Sequence, residues 1–196
     1  MSGDETARKA CRSLVNLAAF LPQSRANGPG RRAVVWVQGC PRSCPDCFNQ
    51  EMIEFADRQI IAVDQLACRI LSLQGIEGVT FSGGEPFNQA VALATLAELL
   101  VAEGLNIVTF TGYRYEELKQ DGSVDVNRLL AATDLLVAGP YEKEHAGQQY
   151  LLASTNQELV FLTDRLRAHP DIINKTGHTR EFVIDTGGNI VITGIA

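Results

Sequence analysis

Short apolar runs alternate with amphipathic stretches along most of the chain, and this pattern predicts strands that alternate with helices. Four runs rich in apolar residues predict buried strands: AVVWVQG at 33–39, GVTF at 78–81, LNIVTF at 105–110 and DLLVAG at 134–139. Helical spacing predicts helices at 65–74, 88–103, 115–120 and 126–132. Asp64 is the expected N-cap of the first helix. Repeated strand, loop and helix units predict an α/β fold with a parallel sheet and right-handed crossovers.

The last third of the chain is less regular. Residues 142–157 are polar without a clear period, which predicts a loop or lid, and NQELVFLTDRLRAH at 156–169 predicts a helix. EFVID and IVITGI flank the turn sequence TGGN, which predicts a C-terminal β-hairpin. No internal repeat or linker divides the 196 residues, so one domain is expected.

Composition excludes several classes of protein. The chain is 45% hydrophobic and 20% charged, and 17 Lys and Arg against 23 Asp and Glu give a net charge of −6. Such a charge provides no general attraction for nucleic acid or an anionic membrane. No apolar run approaches the roughly 20 residues that span a bilayer. The first 25 residues do not resemble a secretory signal, so a soluble protein of the cytoplasm is expected.

Cysteine spacing is the strongest chemical signal. The chain has five cysteines, and Cys40, Cys44 and Cys47 form a C-x3-C-x2-C loop directly after the strand at 33–39. A tight cluster of thiols in a reducing compartment is typical of a metal or redox site. Three local ligands would leave one iron of a [4Fe-4S] cluster open to a substrate or cofactor.

A structural zinc site is the alternative, and it would make the chain a zinc-stapled binding module without catalysis. Such a site needs four ligands. The fourth would come from one of Cys11, Cys68, His145, His169 and His178. Cys68 lies inside a predicted helix, where packing in the core is the expected role.

A second motif follows the next strand. Ser82-Gly83-Gly84-Glu85-Pro86 combines two glycines, which allow close approach of the backbone to a ligand, with a carboxylate that can accept from an amine. The carboxyl ends of parallel strands usually bind the ligands of α/β proteins. The two motifs together therefore predict an active site at this edge of the sheet.

These motifs resemble the radical S-adenosylmethionine (SAM) enzymes, and among them the activating enzymes of glycyl radical proteins, above all the anaerobic ribonucleotide reductase activating proteins. The resemblance extends from about Phe20 to Arg167. It rests on five ordered matches: Asn27-Gly28-Pro29-Gly30, Cys47-Phe48-Asn49, Ser82-Gly83-Gly84-Glu85-Pro86, Thr111-Gly112-Tyr113 and Ser154-Thr155-Asn156-Gln157. It implies one radical SAM domain over 1–196, with a core at about 20–167 and an extension at 168–196. The implied fold is a partial (β/α)6-type open barrel of about six mainly parallel strands.

The resemblance also implies cofactors and site residues. Cys40, Cys44 and Cys47 would hold a [4Fe-4S] cluster whose open iron binds SAM, and Gly83, Gly84 and Glu85 would cradle the methionine amine. The rest of the SAM site would be lined by Asn49, Ser82, Thr111 and Tyr113. One electron, from a flavodoxin- or ferredoxin-like donor, would cleave SAM to methionine and a 5′-deoxyadenosyl radical. That radical would install a glycyl radical on a partner protein.

Departures from the family pattern keep a second function open, namely radical SAM modification of a small molecule, a nucleotide or a peptide. Val137-Ala138-Gly139 stands where the family usually has Val-Asp-Gly. Leu151-Leu152-Ala153 replaces Trp-Arg-Gly before the Ser-Thr-Asn-Gln motif, and the predicted hairpin exceeds the minimal activator. Outside the motifs, Arg31 and Arg32 are expected to form a solvated pair, and Trp36 is expected in the core.

Overall fold

The computed structural model describes residues 13–42, 44–184, 187–188 and 190–195. Within these residues the strands are β1 (Leu14–Ser24), β2 (Arg32–Val37), β3 (Gln59–Ala62), β4 (Gly78–Gly83), β5 (Asn106–Thr111), β6 (Leu135–Ala138), β7 (Glu158–Phe161), β8 (Arg180–Ile184) and β9 (Ile190–Gly194). The α-helices are α1 (Val63–Leu71), α2 (Ala90–Ala102), α3 (Tyr115–Asp121), α4 (Val124–Ala132) and α5 (Pro170–Asn174). Short 3-10 helices lie at Gln50–Met52, Pro86–Gln89 and Lys143–His145.

Seven strands form one sheet in the order β3-β1-β2-β4-β5-β6-β7, and β8 pairs with β9 as a separate antiparallel hairpin. Strands β2, β4, β5 and β6 run parallel, and these are the four strands that the sequence predicts. The predicted α/β class and the C-terminal hairpin are therefore confirmed.

The parallel part has four strands rather than about six, because the strands at both edges are antiparallel. β1 pairs antiparallel with β2 and with β3, and β7 pairs antiparallel with β6. The connection from β1 to β2 is only a short turn at 25–31. A parallel pair would need a longer crossover, usually a helix.

Two local predictions are wrong. Residues 158–161 form β7 instead of a helix, because pairing with β6 overrides the helical spacing of the apolar residues. The N-cap of α1 is Ala62 rather than Asp64, which lies in the first turn of the helix.

One face of the sheet is covered by helices and holds the largest core. Residues from β2 and β4, such as Val35 and Phe81, pack in one cluster with Leu93 and Leu96 of α2, and all four are fully buried. Helices α1 and α4 contribute Ile70 and Leu129 to the same cluster. None of the helices in the described part of the chain is long and apolar enough to cross a membrane.

The opposite face of the sheet carries two smaller clusters. One contains Leu21, Val34 and Trp36, against which Val183 of the hairpin packs. The other joins β5 and β6 to residues 150–152. Trp36 is buried, as predicted.

The expected solvation of Arg32 and burial of Cys68 are both wrong. Arg32 is fully buried, its Nε donates to the carbonyl of Pro29 at 3.0 Å, and its guanidinium also bonds Asn106 of β5. Burial lowers the pKa of Arg32 to about 10. The Arg32 side chain therefore fixes the turn before β2 to the neighbouring strand. Cys68 is exposed because it lies on the outer side of α1, away from the core.

Candidate functional site

A cavity of about 440 Å³ opens on the sheet face that carries the two smaller clusters, at the carboxyl ends of the parallel strands. Nine of the ten predicted site residues line it: Cys40, Cys44, Cys47, Asn49, Ser82, Gly83, Gly84, Glu85 and Thr111. Its size is within the range of roughly 300–1,000 Å³ usual for small-molecule and cofactor sites. The fold therefore brings the two sequence motifs together as the sequence predicts.

The tenth residue, Tyr113, lies beside a neighbouring cleft of about 530 Å³. Its ring stacks under the guanidinium of Arg42, whose Cζ lies 4.9 Å from the ring centroid. Cys44 and Tyr141 line both the cavity and this cleft. Tyr113 is thus close to the site but is not part of the cavity wall.

The cysteine loop is positioned by backbone hydrogen bonds to the short helix that follows it. The N–H of Gly39 donates to the carbonyl of Met52, and the N–H of Cys40 donates to that of Ile53, both at 2.9 Å. All three thiols are half-buried, and burial raises the pKa of the Cys47 thiol. The loop therefore presents its thiols to the cavity from a fixed base.

No set of three His, Cys, Asp or Glu side chains in the described residues is arranged to hold a single metal ion. Thiolates that ligate different irons of a cluster need not converge on one point, so this finding does not test cluster binding. The described candidates for a fourth zinc ligand lie outside the cavity wall: Cys68, His145, His169 and His178. Cys11 lies outside the described residues.

Gly83 and Gly84 are required by packing within the protein. Gly83 has a φ of +105°, and a Cβ there would lie 2.5 Å from the backbone nitrogen and oxygen of Val37. A Cβ on Gly84 would overlap the carbonyl oxygen of Gly39. The N–H of Gly84 donates to the carbonyl of Val37 at 2.7 Å, and that of Glu85 donates to Gly39 at 2.9 Å. Side chains are excluded because this loop lies directly on the end of β2.

Asn49 links the same two loops from the other side. Its Nδ2 donates to the carbonyl of Gly83 at 3.1 Å. The cysteine loop, β2 and the glycine loop are thereby joined by three hydrogen bonds around one wall of the cavity. A change in one loop is therefore transmitted to the other.

Glu85 is a fully buried carboxyl group that joins the ends of β4 and β5. Its Oε1 accepts from the N–H of Phe87 at 3.0 Å and from the hydroxyl of Thr111 at 2.9 Å, and its Oε2 accepts from the N–H of Gly112 at 2.9 Å. Burial raises its pKa to about 7, although these hydrogen bonds and nearby Arg42 favour the ionised form. Glu85 thus fixes the loop after β5, and a role as acceptor for an amine remains a prediction.

Arg42 is a residue of the cavity that lies within the cysteine motif but to which the motif assigns no role. Its Nε is buried without a hydrogen-bond partner in the described part of the protein. It lines both the cavity and the cleft, and its Nη1 lies 3.6 Å from the carboxylate of Glu117. Its signal in the sequence is that it is the only charged residue between Cys40 and Cys44.

The Ser-Thr-Asn-Gln motif fixes the segment after β6. Gln157 lines the cavity, its Oε1 accepts from the N–H of Ala153 at 2.9 Å, and its Nε2 donates to the carbonyl of Gly139 at 2.9 Å. The Nδ2 of Asn156 donates to the carbonyl of Pro140 at 2.8 Å. In the described residues the motif therefore shapes the wall of the cavity by holding a turn.

Two side-chain contacts connect this segment to the cysteine loop. The rings of Phe48 and Tyr141 lie 4.7 Å apart between centroids, and Lys143 forms an ion pair with Asp46 at 3.1 Å. Both contacts are at the surface of the site. The ring contact places aromatic surface next to Cys47 in the cysteine loop.

Three thiols on one loop, beside a cavity that can hold a further cofactor at the ends of parallel strands, fit an iron–sulfur protein of the radical SAM class. Residues 26–160 match the family model described as a 4Fe-4S single cluster domain. The chain belongs to this family and, within it, is related to the anaerobic ribonucleoside-triphosphate reductase-activating proteins.

Two of these relatives and one solved structure define the similarity. The protein of that name from Enterobacteria phage T4 is 30% identical over 162 residues, which are 79% of this chain and 99% of the relative. The one from Escherichia coli strain K12 is 30% identical over 112 residues, 53% of this chain and 73% of the relative. The crystal structure of QueE from Escherichia coli has a TM-score of 0.54 at 17% identity, over 72% of this chain and 66% of that one.

The cofactors of this class are a [4Fe-4S] cluster and SAM, and the residues of the cavity fit both groups. Soft thiolates are the ligands that iron–sulfur clusters use, and three are present on one loop. The cavity is large enough for a small cofactor, and the unpartnered Nε of Arg42 provides a donor for an anionic group. The donor set of the site therefore agrees with the family.

Proposed function

We propose that this protein is a radical SAM activating enzyme that installs a glycyl radical on a partner protein, as in the activation of anaerobic ribonucleotide reductase. The observation that carries the proposal is the gathering of the cysteine loop and the glycine loop around one cavity. The names of the relatives support the partner class.

In this proposal Cys40, Cys44 and Cys47 hold the cluster through their thiolates. Asn49, Ser82, Gly83, Gly84, Glu85 and Thr111 line the place for SAM, and Tyr113 supports it from the neighbouring cleft through Arg42. When bound, the two cofactors supply the one-electron cleavage of SAM that gives a 5′-deoxyadenosyl radical. The chain itself binds, orients and shields the reacting groups.

Shielding is the contribution for which the contacts give the clearest physical basis. The hydrophobic residues Trp36, Phe110 and Leu151 form part of the cavity wall. They exclude water from this part of the cavity, and none of them carries a thiol, whose weak S–H bond would compete as a hydrogen-atom donor. Hydrogen bonds among the strand ends hold this wall in place.

A one-electron donor is also needed, and we propose a small flavodoxin- or ferredoxin-like protein. Cys44 lines the outer cleft as well as the cavity, which supports electron entry from a side that the substrate does not use. We further propose that the enzyme works in the cytoplasm, in agreement with its sequence, and that neither nucleic acid nor membrane is its partner.

The test uses the anaerobic ribonucleotide reductase of the same organism. The reconstituted enzyme, SAM, a strong reductant and the reductase are combined without oxygen. The reductase is then examined by electron paramagnetic resonance. We expect a glycyl radical doublet with the wild type, the same doublet with Cys68→Ala, and none with Cys40→Ala. A wild-type enzyme that cleaves SAM and leaves the reductase without a radical would contradict the proposed partner.

A second candidate function, modification of a small molecule, nucleotide or peptide, is favoured by the hairpin, whose residues 191–195 form part of the cavity wall. The hairpin lies beyond the residues that the family model matches. Deuterium transfer from a labelled cell metabolite or peptide into 5′-deoxyadenosine, in the absence of the reductase, would support this function over the first.

A further inference from the structure

The C-terminal hairpin has one face that is anchored to the protein and one that is free. In the β8–β9 ladder Glu181 is opposite Thr193 on the anchored face. The carboxylate of Glu181 accepts from the hydroxyl of Ser24 at 2.6 Å, and Thr193 accepts from Nδ2 of Asn27 at 2.8 Å. Val183 packs on the cluster around Trp36. The hairpin is therefore held across the end of β1 and the turn that follows it.

The other face, called here the outer hairpin face, consists of Phe182, Ile184, Ile190 and Ile192. Phe182 is paired across the ladder with Ile192, and Ile184 with Ile190, so all four side chains point the same way. Each is between 61% and 67% exposed. Single exposed apolar residues are ordinary, but a contiguous group beside a site is typical of an interaction surface.

The outer hairpin face is continuous with the mouth of the cavity. Ile192 belongs to this face and also lines the cavity, and Val191 of the anchored face, 46% exposed, lines the cavity beside it. A macromolecule that brings a residue of its own into the cavity from this side must cover Ile192. Its contact surface then extends over the three remaining apolar residues.

We propose that the outer hairpin face is the docking surface for the glycyl radical protein whose glycine enters the cavity. This inference rests on the proposed function. A second copy of the chain is disfavoured as the occupant, because a copy seated on Ile192 would close the mouth through which the partner must enter. The partner should present an apolar surface next to its glycine loop, since the four side chains carry no charge to be matched.

The test compares two double variants. Phe182→Ser/Ile184→Ser changes two residues of the outer hairpin face that do not line the cavity. Val91→Ser/Val124→Ser is the matched control, with similar changes at exposed residues of α2 and α4 on the helix-covered side of the sheet. Phe182→Leu/Ile184→Val keeps the apolar surface and checks that a loss does not come from damage to the hairpin.

Two readouts are taken for each reconstituted protein. Affinity for the anaerobic ribonucleotide reductase of the same organism is measured by titration calorimetry, and 5′-deoxyadenosine formation is measured without the reductase. We expect the serine variant to bind about tenfold more weakly or worse, with SAM cleavage equal to wild type. The control and the conservative variant should bind as wild type does.

Several results would overturn the inference. The inference fails if the serine variant binds the reductase as tightly as wild type does. It also fails if a wild type that cleaves SAM does not bind the reductase. Both results leave SAM cleavage established. A concentration-dependent dimer that the serine variant abolishes would assign the face to a second copy. Failure of the proposed function would be seen separately, as a wild-type protein that forms no 5′-deoxyadenosine. Binding of the reductase is measured by calorimetry and does not depend on that result.

Discussion

The two faces of the central sheet are built in different ways. The helix-covered face buries side chains from strands and from helices that follow them directly, such as Phe81 and Leu93. The cavity face is assembled from segments far apart in the chain, because Ser24 bonds Glu181 and Asn27 bonds Thr193. Periodic apolar packing stabilises the first face, whereas individual hydrogen bonds shape the second.

This difference explains where chemistry can be placed. A face filled by interlocking side chains has no space for a cofactor. On the other face, the loops after β2 and β4 meet through backbone contacts that only glycine allows at positions 83 and 84. Substitutions should therefore affect stability on the helix-covered face and geometry of the site on the cavity face.

The largest effect on the cavity face is expected from Gly84→Ala. The added methyl group would collide with the backbone carbonyls of Gly39 and Met52, which cannot move without displacing the cysteine loop. A displacement of about 1 Å can lower a reaction rate by about a hundredfold. We expect a loss of that order in 5′-deoxyadenosine formation.

Gly177→Ala is the control for this change, because the nearest atom to its Cβ is the carbonyl oxygen of Gln148 at an ordinary 3.8 Å. Its rate should equal that of wild type. Normal SAM cleavage by the Gly84 variant would show that the glycine loop does not shape the site.

On the helix-covered face, Leu96→Ala should produce the opposite pattern. Leu96 of α2 is fully buried in the main core. Its truncation should lower the free energy of unfolding by about 3 kcal/mol through lost burial and a residual cavity. Urea denaturation measures this loss, and SAM cleavage per folded molecule should be unchanged. If fully folded Leu96→Ala protein lost SAM cleavage, the two faces would not have separate roles in stability and in the site.

The pH dependence of stability tests the burial of Glu85. Its pKa is about 7 in the fold against an ordinary 4.5, so the folded state holds more protons than the unfolded state between these values. The contribution of Glu85 to stability should therefore be highest below pH 4.5, fall as pH rises towards 7, and level off above it. The full contribution is on the order of 3 kcal/mol.

Glu85→Gln cannot titrate and should lack this slope. Urea midpoints of both proteins at pH 5 and pH 7.5 provide the comparison. An identical pH dependence in wild type and variant would mean that Glu85 is ionised throughout and that its surroundings are more polar than the geometry indicates.

The smallest effect is expected from Lys143→Ala, which removes the exposed ion pair with Asp46. Exposed pairs contribute about 0–1 kcal/mol. Thermal unfolding should thus change little, and salt should remove the remaining difference. A large loss of stability would indicate that this pair, rather than the Phe48–Tyr141 ring contact, holds the cysteine loop to the segment after β6.

The two faces also differ in how far the sequence predicts them. Strands β2, β4, β5 and β6 were predictable because each is a short apolar run with a turn at its end. The cysteine and glycine loops follow β2 and β4, so their meeting at one edge was predictable too. The helix-covered face follows from the same local pattern.

Features that depend on distant partners could not be read locally. The four residues of β7 have helical spacing but pair with β6. Arg32 is buried because the chain places Asn106 and Pro29 around it. The hairpin was predictable as a hairpin, yet its position over the cavity depends on contacts to β1 and the turn after it. The role of Arg42 could not be predicted, because it depends on the shape of the cavity and not on the spacing of the cysteines.

The central claim is that the cavity face carries the cysteines that support SAM cleavage, and one measurement tests it most directly. Iron content and 5′-deoxyadenosine formation are determined for anaerobically reconstituted wild type, Cys44→Ser and Cys68→Ser with a strong reductant. The account predicts product and a full iron complement for wild type and for Cys68→Ser, whose thiol lies exposed on α1, and neither for Cys44→Ser. Stoichiometric zinc without iron in the purified wild type, or equal activity in both variants, would contradict it.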